Sequence, residues 1–398
     1  MADDEEIVLR LTKVRQLAYA ENRDQNPAAL FATDGDDDPL AIHRFEVESG
    51  DPSYIAMADG NSMVDILCLL AEAFRHWNMR RIPLIAICGK HGNPCGAAID
   101  WHDPKVALLK ALQGDTVAVM GGELVTNFPI DDELGQLVLA PPEDLNIGRK
   151  NWGLDLIIAH SFSQNAVALL GKREKRRLLS NPELFFLPSL KVGWVFRPVR
   201  GGFLRQKAPQ FVLTPAQIIH WTGQPLSDRD FENLLIAWAV CWRASSNTVT
   251  LAKDQMLIAN GCGQQDRIAC VRLCLERANR AGHDTKGSVF ASDAFFPYAE
   301  NSKMPNWRLS VIKDLIESAG VQVNNNDRRD VLRLLSMAAG FIAELDNREG
   351  PELLIDAGCL GGVVPADGKN LEEVKALFEK AGLSVAFVAA EHRGFAKH

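Results

Sequence analysis

Leu84-Ile85-Ala86-Ile87-Cys88, followed after one glycine by Lys90-His91-Gly92-Asn93-Pro94-Cys95-Gly96, is the stretch on which the fold turns. A short apolar run bounded by Gly and Pro predicts a buried strand. A cation beside an imidazole at its carboxyl end lies where α/β folds place reacting groups. Asn93-Pro94-Cys95 is expected to form the turn, because Pro fixes φ and biases the preceding residue away from helix. On its own, a Lys-His pair in a loop is more often solvated surface than catalyst.

Outward from this strand, apolar runs alternate with helical patterns, which predicts an α/β layered fold. The first half shows a helix over 63–74, a helix over 103–112 with Asp103 as N-cap and Pro104 behind it, and a short strand over 117–120 ending at Gly121-Gly122. A strand over 156–159 and a helix over 163–170 follow. A linker rich in Pro, Gly and Arg spans 187–215. The second half repeats the alternation, with a helix over 228–244, a strand over 248–252, a helix over 264–281 and a strand over 289–291. Two further helical patterns, 307–319 and 327–344, form an apparent insertion. No sequence repeat relates the two halves.

With 398 residues, nearly half of them apolar, the chain can build one large core or two medium ones. Its net charge of -8 argues against non-specific nucleic-acid binding, which relies on a basic surface. The basic stretch Lys172-Arg173-Glu174-Lys175-Arg176-Arg177 reads as a solvated face. Asp3, Asp4, Glu5 and Glu6 replace the basic and apolar regions of a signal peptide, and no apolar run approaches the ~20 residues of a membrane span. A cytoplasmic protein away from membranes is expected. The eight cysteines, Cys68, Cys88, Cys241 and Cys274 among them, lie mostly in apolar surroundings without disulfide spacing.

Far along the chain stand Ser245-Ser246-Asn247-Thr248 with Ala252-Lys253-Asp254, then Gly261-Cys262-Gly263-Gln264-Gln265-Asp266-Arg267, then Ser292-Asp293-Ala294-Phe295-Phe296-Pro297. Together with the Lys-His-x-Asn-Pro-x-Gly loop, and in this order, they resemble the formyltransferase part of the bifunctional purine-synthesis enzymes that formylate aminoimidazole carboxamide ribonucleotide (AICAR). Arg200-Gly201-Gly202-Phe203-Leu204-Arg205-Gln206 and Leu17-Ala18-Tyr19-Ala20-Glu21-Asn22 extend the likeness nearly end to end. The resemblance implies an α/β fold of two cytidine-deaminase-like α/β/α units, 1–205 and 206–398, the second carrying a helical insertion near 300–348. It also implies an intertwined homodimer, small-molecule substrates and 10-formyltetrahydrofolate as formyl donor. Zinc deaminases of that fold use His-x-Glu and Pro-Cys-x-x-Cys. Here Gly92-Asn93 follow His91 and Ala98 takes the second cysteine's place, so no metal is assigned.

An arylamine conjugated to a carboxamide is a poor nucleophile, so formylating it needs a base and stabilisation of the oxygen that gains charge. Aligning two bound substrates can supply ~7–11 kcal/mol more. His91 is the expected proton carrier, since imidazole titrates near neutrality. Lys90 would hold negative charge, and the resemblance places Asn247 near the formyl group, where its amide could donate. By resemblance Tyr19, Asn22, Gly263, Gln264, Arg267, Asp293, Phe295 and Phe296 bind the acceptor, and Asp155 and Asn247 the folate. Read without it, Asp155 is a solvated strand-edge carboxylate and the Phe pair is core.

The pattern breaks on one side. Ala18 stands where the family has an arginine for the acceptor's 5'-phosphate, and Arg23-Asp24 replace Pro-His. Arg23, Arg393 and Lys397 are the candidate replacements. The upstream cyclohydrolase domain has no counterpart, so a stand-alone formyltransferase for AICAR or an AICAR-like amine is expected. The alternatives are a different, unphosphorylated acceptor, or a folate- or nucleotide-binding homologue without turnover.

Overall fold

The computed structural model describes residues 6–78, 81–145, 147, 152–188, 193–298 and 348–394. A two-stranded arm, β1 (Leu11–Gln16) and β2 (Ala29–Thr33), comes first. Then follow β3 (Glu46–Ser49), α1 (Tyr54–Trp77), β4 (Leu84–Lys90), β5 (Asn93–Asp100), α2 (Pro104–Gln113) and β6 (Glu123–Thr126). The first half closes with α3 (Asp132–Leu139), β7 (Leu156–Ala159), α4 (Gln164–Leu170), β8 (Arg177–Ser180) and α5 (Glu183–Phe186). A second arm, β9 (Trp194–Val199) and β10 (Gly202–Lys207), lies inside the stretch expected to be a linker. The second half is β11 (Ile218–Trp221), α6 (Asp228–Arg243), β12 (Val249–Lys253), β13 (Met256–Gly261), α7 (Arg267–Ala281) and β14 (Val289–Ser292). It ends with α8 (Gly350–Asp356), β15 (Gly361–Pro365), α9 (Leu371–Ala381) and β16 (Ser384–Val388).

Outside the two arms, all the described strands join one twelve-stranded sheet, ordered β11-β16-β15-β14-β12-β13-β5-β4-β6-β7-β8-β3. The order is its own mirror about the antiparallel contact of β13 with β5. Each half has a hairpin, a strand antiparallel to the hairpin's first member, two more strands parallel to that one, and an antiparallel edge. The parallel strands require crossovers, which α3 and α4 supply in one half and α8 and α9 in the other.

Helices α1 and α6 pack together on one face of the sheet, while α2, α3, α4, α7, α8 and α9 cover the other. With both faces covered, strands such as β4, β7 and β14 are apolar along their length, as buried strands must be. Ser53 caps α1 by accepting from Ala56 N, so the helix starts well before the predicted 63–74. By length and composition alone α1 could cross a bilayer, contrary to the sequence expectation, but Met63, Ile66, Leu67, Leu70 and Phe74 are buried between sheet and α6.

Two other expectations are corrected. The strand expected over 117–120 is a run of turns, held by Asp115 Oδ1 accepting from Val117 N and Ala118 N. Such local side-chain acceptors compete with a ladder, and the strand begins only at Glu123. The basic stretch is not wholly solvated: Arg176 is 1% exposed and donates to Leu154 O and Leu170 O. Burial, reinforced by Arg173, lowers its pKa to about 10. None of the eight cysteines forms a disulfide. The helical patterns at 307–319 and 327–344 lie outside the described residues, as does Lys397.

Candidate active site

From β4 through β5 and β13 to β12 the sheet makes three antiparallel steps, so β4 and β12 run oppositely. The end of β4 and the start of β12 therefore share one edge of the sheet. The same edge holds the starts of β6, β7 and β8 and the ends of β14, β15 and β16. Lys90, His91, Asp155, Asn247 and Asp293 thus come to one line although distant in sequence.

Lys90 closes β4, and His91-Gly92 form the turn alone, at φ 54° and 67°. Two residues with positive φ suffice for a tight hairpin, so Asn93-Pro94-Cys95 is strand and not the expected turn. Pro94 is tolerated there because it lies near the strand's start, beside a register shift. His91 is exposed, and holding a non-glycine residue in the left-handed region costs about 1 kcal/mol.

Lys90 Nζ donates to Met120 O at 2.7 Å. A Cβ on Gly121 would lie 3.9 Å from Lys90 Nζ and 3.8 Å from Asp155 Oδ2, so the ammonium and the carboxylate face each other across a glycine gap. Asp155, partly exposed, also pairs with Arg173 at 3.1 Å. The hairpin β12–β13 offers a comparison. Its turn, Asp254-Gln255, also has positive φ twice, and Lys253 Nζ donates to Lys286 O at 2.7 Å. Met120 and Lys286 each stand three residues before the next strand, β6 or β14. The lysine–carbonyl bridge therefore belongs to the duplicated fold. Lys253 adds Asp284 at 3.3 Å, whereas Lys90 faces Asp155 across the gap.

Asn93 joins the two halves of the site: its Oδ1 accepts from Ser245 N at 3.0 Å. Asn93→Leu would strand that N–H and is expected to cost about 1–3 kcal/mol in urea unfolding, while Asn93→Asp keeps the acceptor and much of the stability. Equal losses in the two variants would rule out this link as the cause.

Beyond Ser245, Asn247 Oδ1 accepts from Arg267 Nη2 at 2.6 Å, and Nδ2 donates to Gln264 O at 2.8 Å and Gln265 O at 3.1 Å. Both amide hydrogens are committed to these loop carbonyls. Gly263, at φ 70°, donates its N–H to Ser245 O and brings the 263–265 loop alongside. Gln264 Nε2 turns back to Cys262 O. The helix expected from Gln264 starts at Arg267, because Asp266 caps it by accepting from Ala269 N.

Arg267 and Asp293 form a buried ion pair, their side chains 7% and 1% exposed. Asp293 also accepts from Thr248 N at 3.0 Å and Ser246 Oγ at 2.6 Å. Both hold the Asn247 segment. Phe296 has no exposed surface and packs on Phe290 and Phe378. Phe295 is likewise buried, against Phe387 and Gly368. Tyr19 is exposed beneath the Arg177 guanidinium, 5.7 Å away, near the start of β8. Asn22, exposed, donates from Nδ2 to Gln25 Oε1 at 3.0 Å. Arg393 pairs with Asp367 at 3.0 Å. A cavity of about 690 Å³ is lined by Lys207, Phe211, Trp242, His392 and Arg393, but not by Lys90, His91 or Asn247.

Sequence reasoning missed Glu123, whose signal was an acid opening an otherwise apolar strand. It is 6% exposed, and burial first, then Asp59, raises its pKa to about 8. A carboxyl whose folded pKa lies above its unfolded value costs no stability below the unfolded value. It costs progressively more as pH rises toward the folded one. Between pH 6 and pH 9 wild type should lose about 2 kcal/mol relative to Glu123→Val, read from melting temperatures of both proteins across that range.

A family model described as AICARFT/IMPCHase bienzyme matches residues 2–277. The bifunctional purine biosynthesis protein PurH of Chlorobaculum parvum is 29% identical over 299 residues, 74% of this chain and 52% of that protein. The protein of the same name from Cutibacterium acnes is 31% identical over 291 residues, 72% and 50% respectively. That from Anoxybacillus flavithermus is 29% identical over 297 residues, 74% and 52%. The chain spans about half the length of the curated relatives it matches.

Proposed function

The chain belongs to the AICARFT/IMPCHase bienzyme family, and from that premise we propose that it is a formyltransferase moving the formyl group of 10-formyltetrahydrofolate to the arylamine of AICAR or a close analogue. One observation carries the reading. The Lys90-His91 turn is tied through Asn93 to the Asn247 segment, with Asp155 across the Gly121 gap, on a single sheet edge.

The donor set fits a pterin. The part-exposed Asp155 carboxylate can accept the paired N–H donors of an aminopyrimidine, and the Gly121 gap beside it would be filled by any side chain. When bound, the folate supplies an electrophilic formyl carbon. His91, exposed at the turn, takes the proton that the acceptor amine must lose and returns it to the departing folate nitrogen. Lys90, anchored by one hydrogen bond to Met120 O, keeps two N–H donors for charge gathering on the formyl oxygen. Asn247, locked by Arg267, Gln264 and Gln265, fixes the opposite wall.

On the same reading the halves 1–205 and 206–398 are two cytidine-deaminase-like units, and the protein acts as a cytoplasmic intertwined homodimer. Support comes from the arms. Trp194, Val195, Val199, Phe203 and Leu204 on β9–β10, with Leu11, Val14 and Phe31 on β1–β2, are exposed. Two-stranded arms are marginal alone, and so much exposed apolar surface calls for a partner. A sedimentation mass of one chain at micromolar concentration would refute the dimer.

The function itself is tested by following tetrahydrofolate release with AICAR and its unphosphorylated riboside side by side. Turnover with AICAR supports the proposal. Folate binding without turnover on either amine would overturn it.

A further inference from the structure

A buried carboxyl group lies behind the Lys90–His91 turn, and the scheme above does not use it. Register sets Glu123 opposite Gly89, the residue before Lys90. Its Oε2 is buried without a hydrogen-bond partner among the described residues. Asp59 of α1, itself 8% exposed, bears on it from the helix side. Lys90 at the end of β4 and Asp155 ahead of β7 bear on it along the edge, Lys90 favouring its charged form and Asp155 opposing it. The thiols of Cys88 on β4 and Cys95 on β5 also feel its charge, and burial pushes both up and keeps them protonated.

The fold does not ask for an acid here. In the second half Val289 opens β14 opposite Ala252, the residue before Lys253, and Val289 is fully buried. The two positions are equivalent in the duplicated sheet. Val therefore serves behind the Lys253 turn, while an acid with an unmet oxygen is kept behind the turn that carries the histidine. A buried carboxyl with an unmet oxygen is costly to keep, so its retention at this one of two equivalent places points to the site.

We propose that Glu123 is a positioning residue of the transfer site, setting the placement of the Lys90 ammonium from beneath and so coupling the site to pH. The proposal rests on the formyl-transfer reading only for its kinetic consequence. With Glu123 neutral, Asp155 across the glycine gap is the acid facing Lys90, and the ammonium is directed outward to the reacting groups. As pH rises and Glu123 ionises, it draws the ammonium back toward the β4–β6 pair and turnover falls.

The test uses the full chain and two variants, Glu123→Gln, which mimics the neutral acid, and Glu123→Val, which copies the second half. Competitive amine labelling with acetic anhydride, read peptide by peptide, reports Lys90 without any turnover, and Lys253 serves as internal control. At pH 9 the labelling rate of Lys90 should rise about threefold in both variants while that of Lys253 stays put. The alkaline fall in kcat with AICAR should be lost in both. Unchanged Lys90 labelling overturns the proposal even if the enzyme is active. Altered labelling in a protein that does not turn over AICAR upholds it and counts against the formyl-transfer reading instead. If Glu123→Gln does not fold, Glu123→Val decides alone.

Discussion

Asp293→Ala is expected to destabilise the protein by about 3–5 kcal/mol, the cost of stranding a buried charge whose partner has been removed. Arg267 Nη1 donates to Asp293 Oδ1, to Thr248 O and to Ser292 Oγ, and Nη2 holds Asn247. Without the carboxylate, the guanidinium stays buried with only neutral acceptors. The duplicated half shows that this pair is not what the fold needs. Asn127 follows β6 as Asp293 follows β14, and it accepts from Ile85 N at 2.7 Å as Asp293 accepts from Thr248 N. Pro104 opens α2 behind the Asp103 cap where Arg267 opens α7 behind Asp266. A neutral Asn–Pro arrangement thus serves one half and a charged Asp–Arg pair the other. The double variant Arg267→Met, Asp293→Asn should therefore recover most of the lost stability, to within about 1–2 kcal/mol of wild type. Its activity should stay low, because Asn247 loses the donor that orients it. Urea unfolding of the single and double variants decides the matter. A single variant within about 1 kcal/mol of wild type would refute the argument, and so would a double variant no better than the single.

Much of the fold was legible because burial on both faces leaves a plain apolar trace: β7 was read to the residue, and β4 and β12 to within two. Caps were legible too, as Asp103 before Pro104 shows. The duplication left no repeat in the residues and entered only through the family resemblance. The positions shared by the two halves do structural duties that several residue types can fill. Ser53 and Ser227 cap α1 and α6, Thr126 and Ser292 each donate to a carbonyl two residues on, and Lys90 and Lys253 each bridge to a loop carbonyl. Such scattered matches leave no repeat to align. Arm β9–β10 was hidden for another reason: its apolar residues face outward, so periodicity had no core to report. At the site, Lys90, His91 and Asn247 were legible as motifs, but the saturation of Asn247 and the burial of Arg267, Asp293 and Phe296 depend on partners distant in sequence. Glu123 carries no motif, and its meaning appears only beside Val289.

The same comparison separates chemistry from architecture at the turn. His91 and Asp254 occupy the same place in the two hairpins, at φ 54° and 51°. Neither side chain is required by the backbone, which would be better served by residues at ease in the left-handed region. His91→Asn is therefore expected to leave stability within about 0.5 kcal/mol of wild type, or slightly above it. Asn cannot carry a proton, and kcat should fall by about 10²–10⁴-fold. The matching change Asp254→Asn should leave both quantities near wild type, since the exposed Asp254–Arg229 pair it disturbs contributes little. The split between kinetic constants gives the variant its meaning. A fall in kcat with KM unchanged marks His91 as the proton carrier, whereas a raised KM with kcat intact would make it a binding residue only. If His91→Asn kept more than about a third of wild-type kcat, the imidazole would not be moving the proton, and the base would have to be sought elsewhere along the same sheet edge.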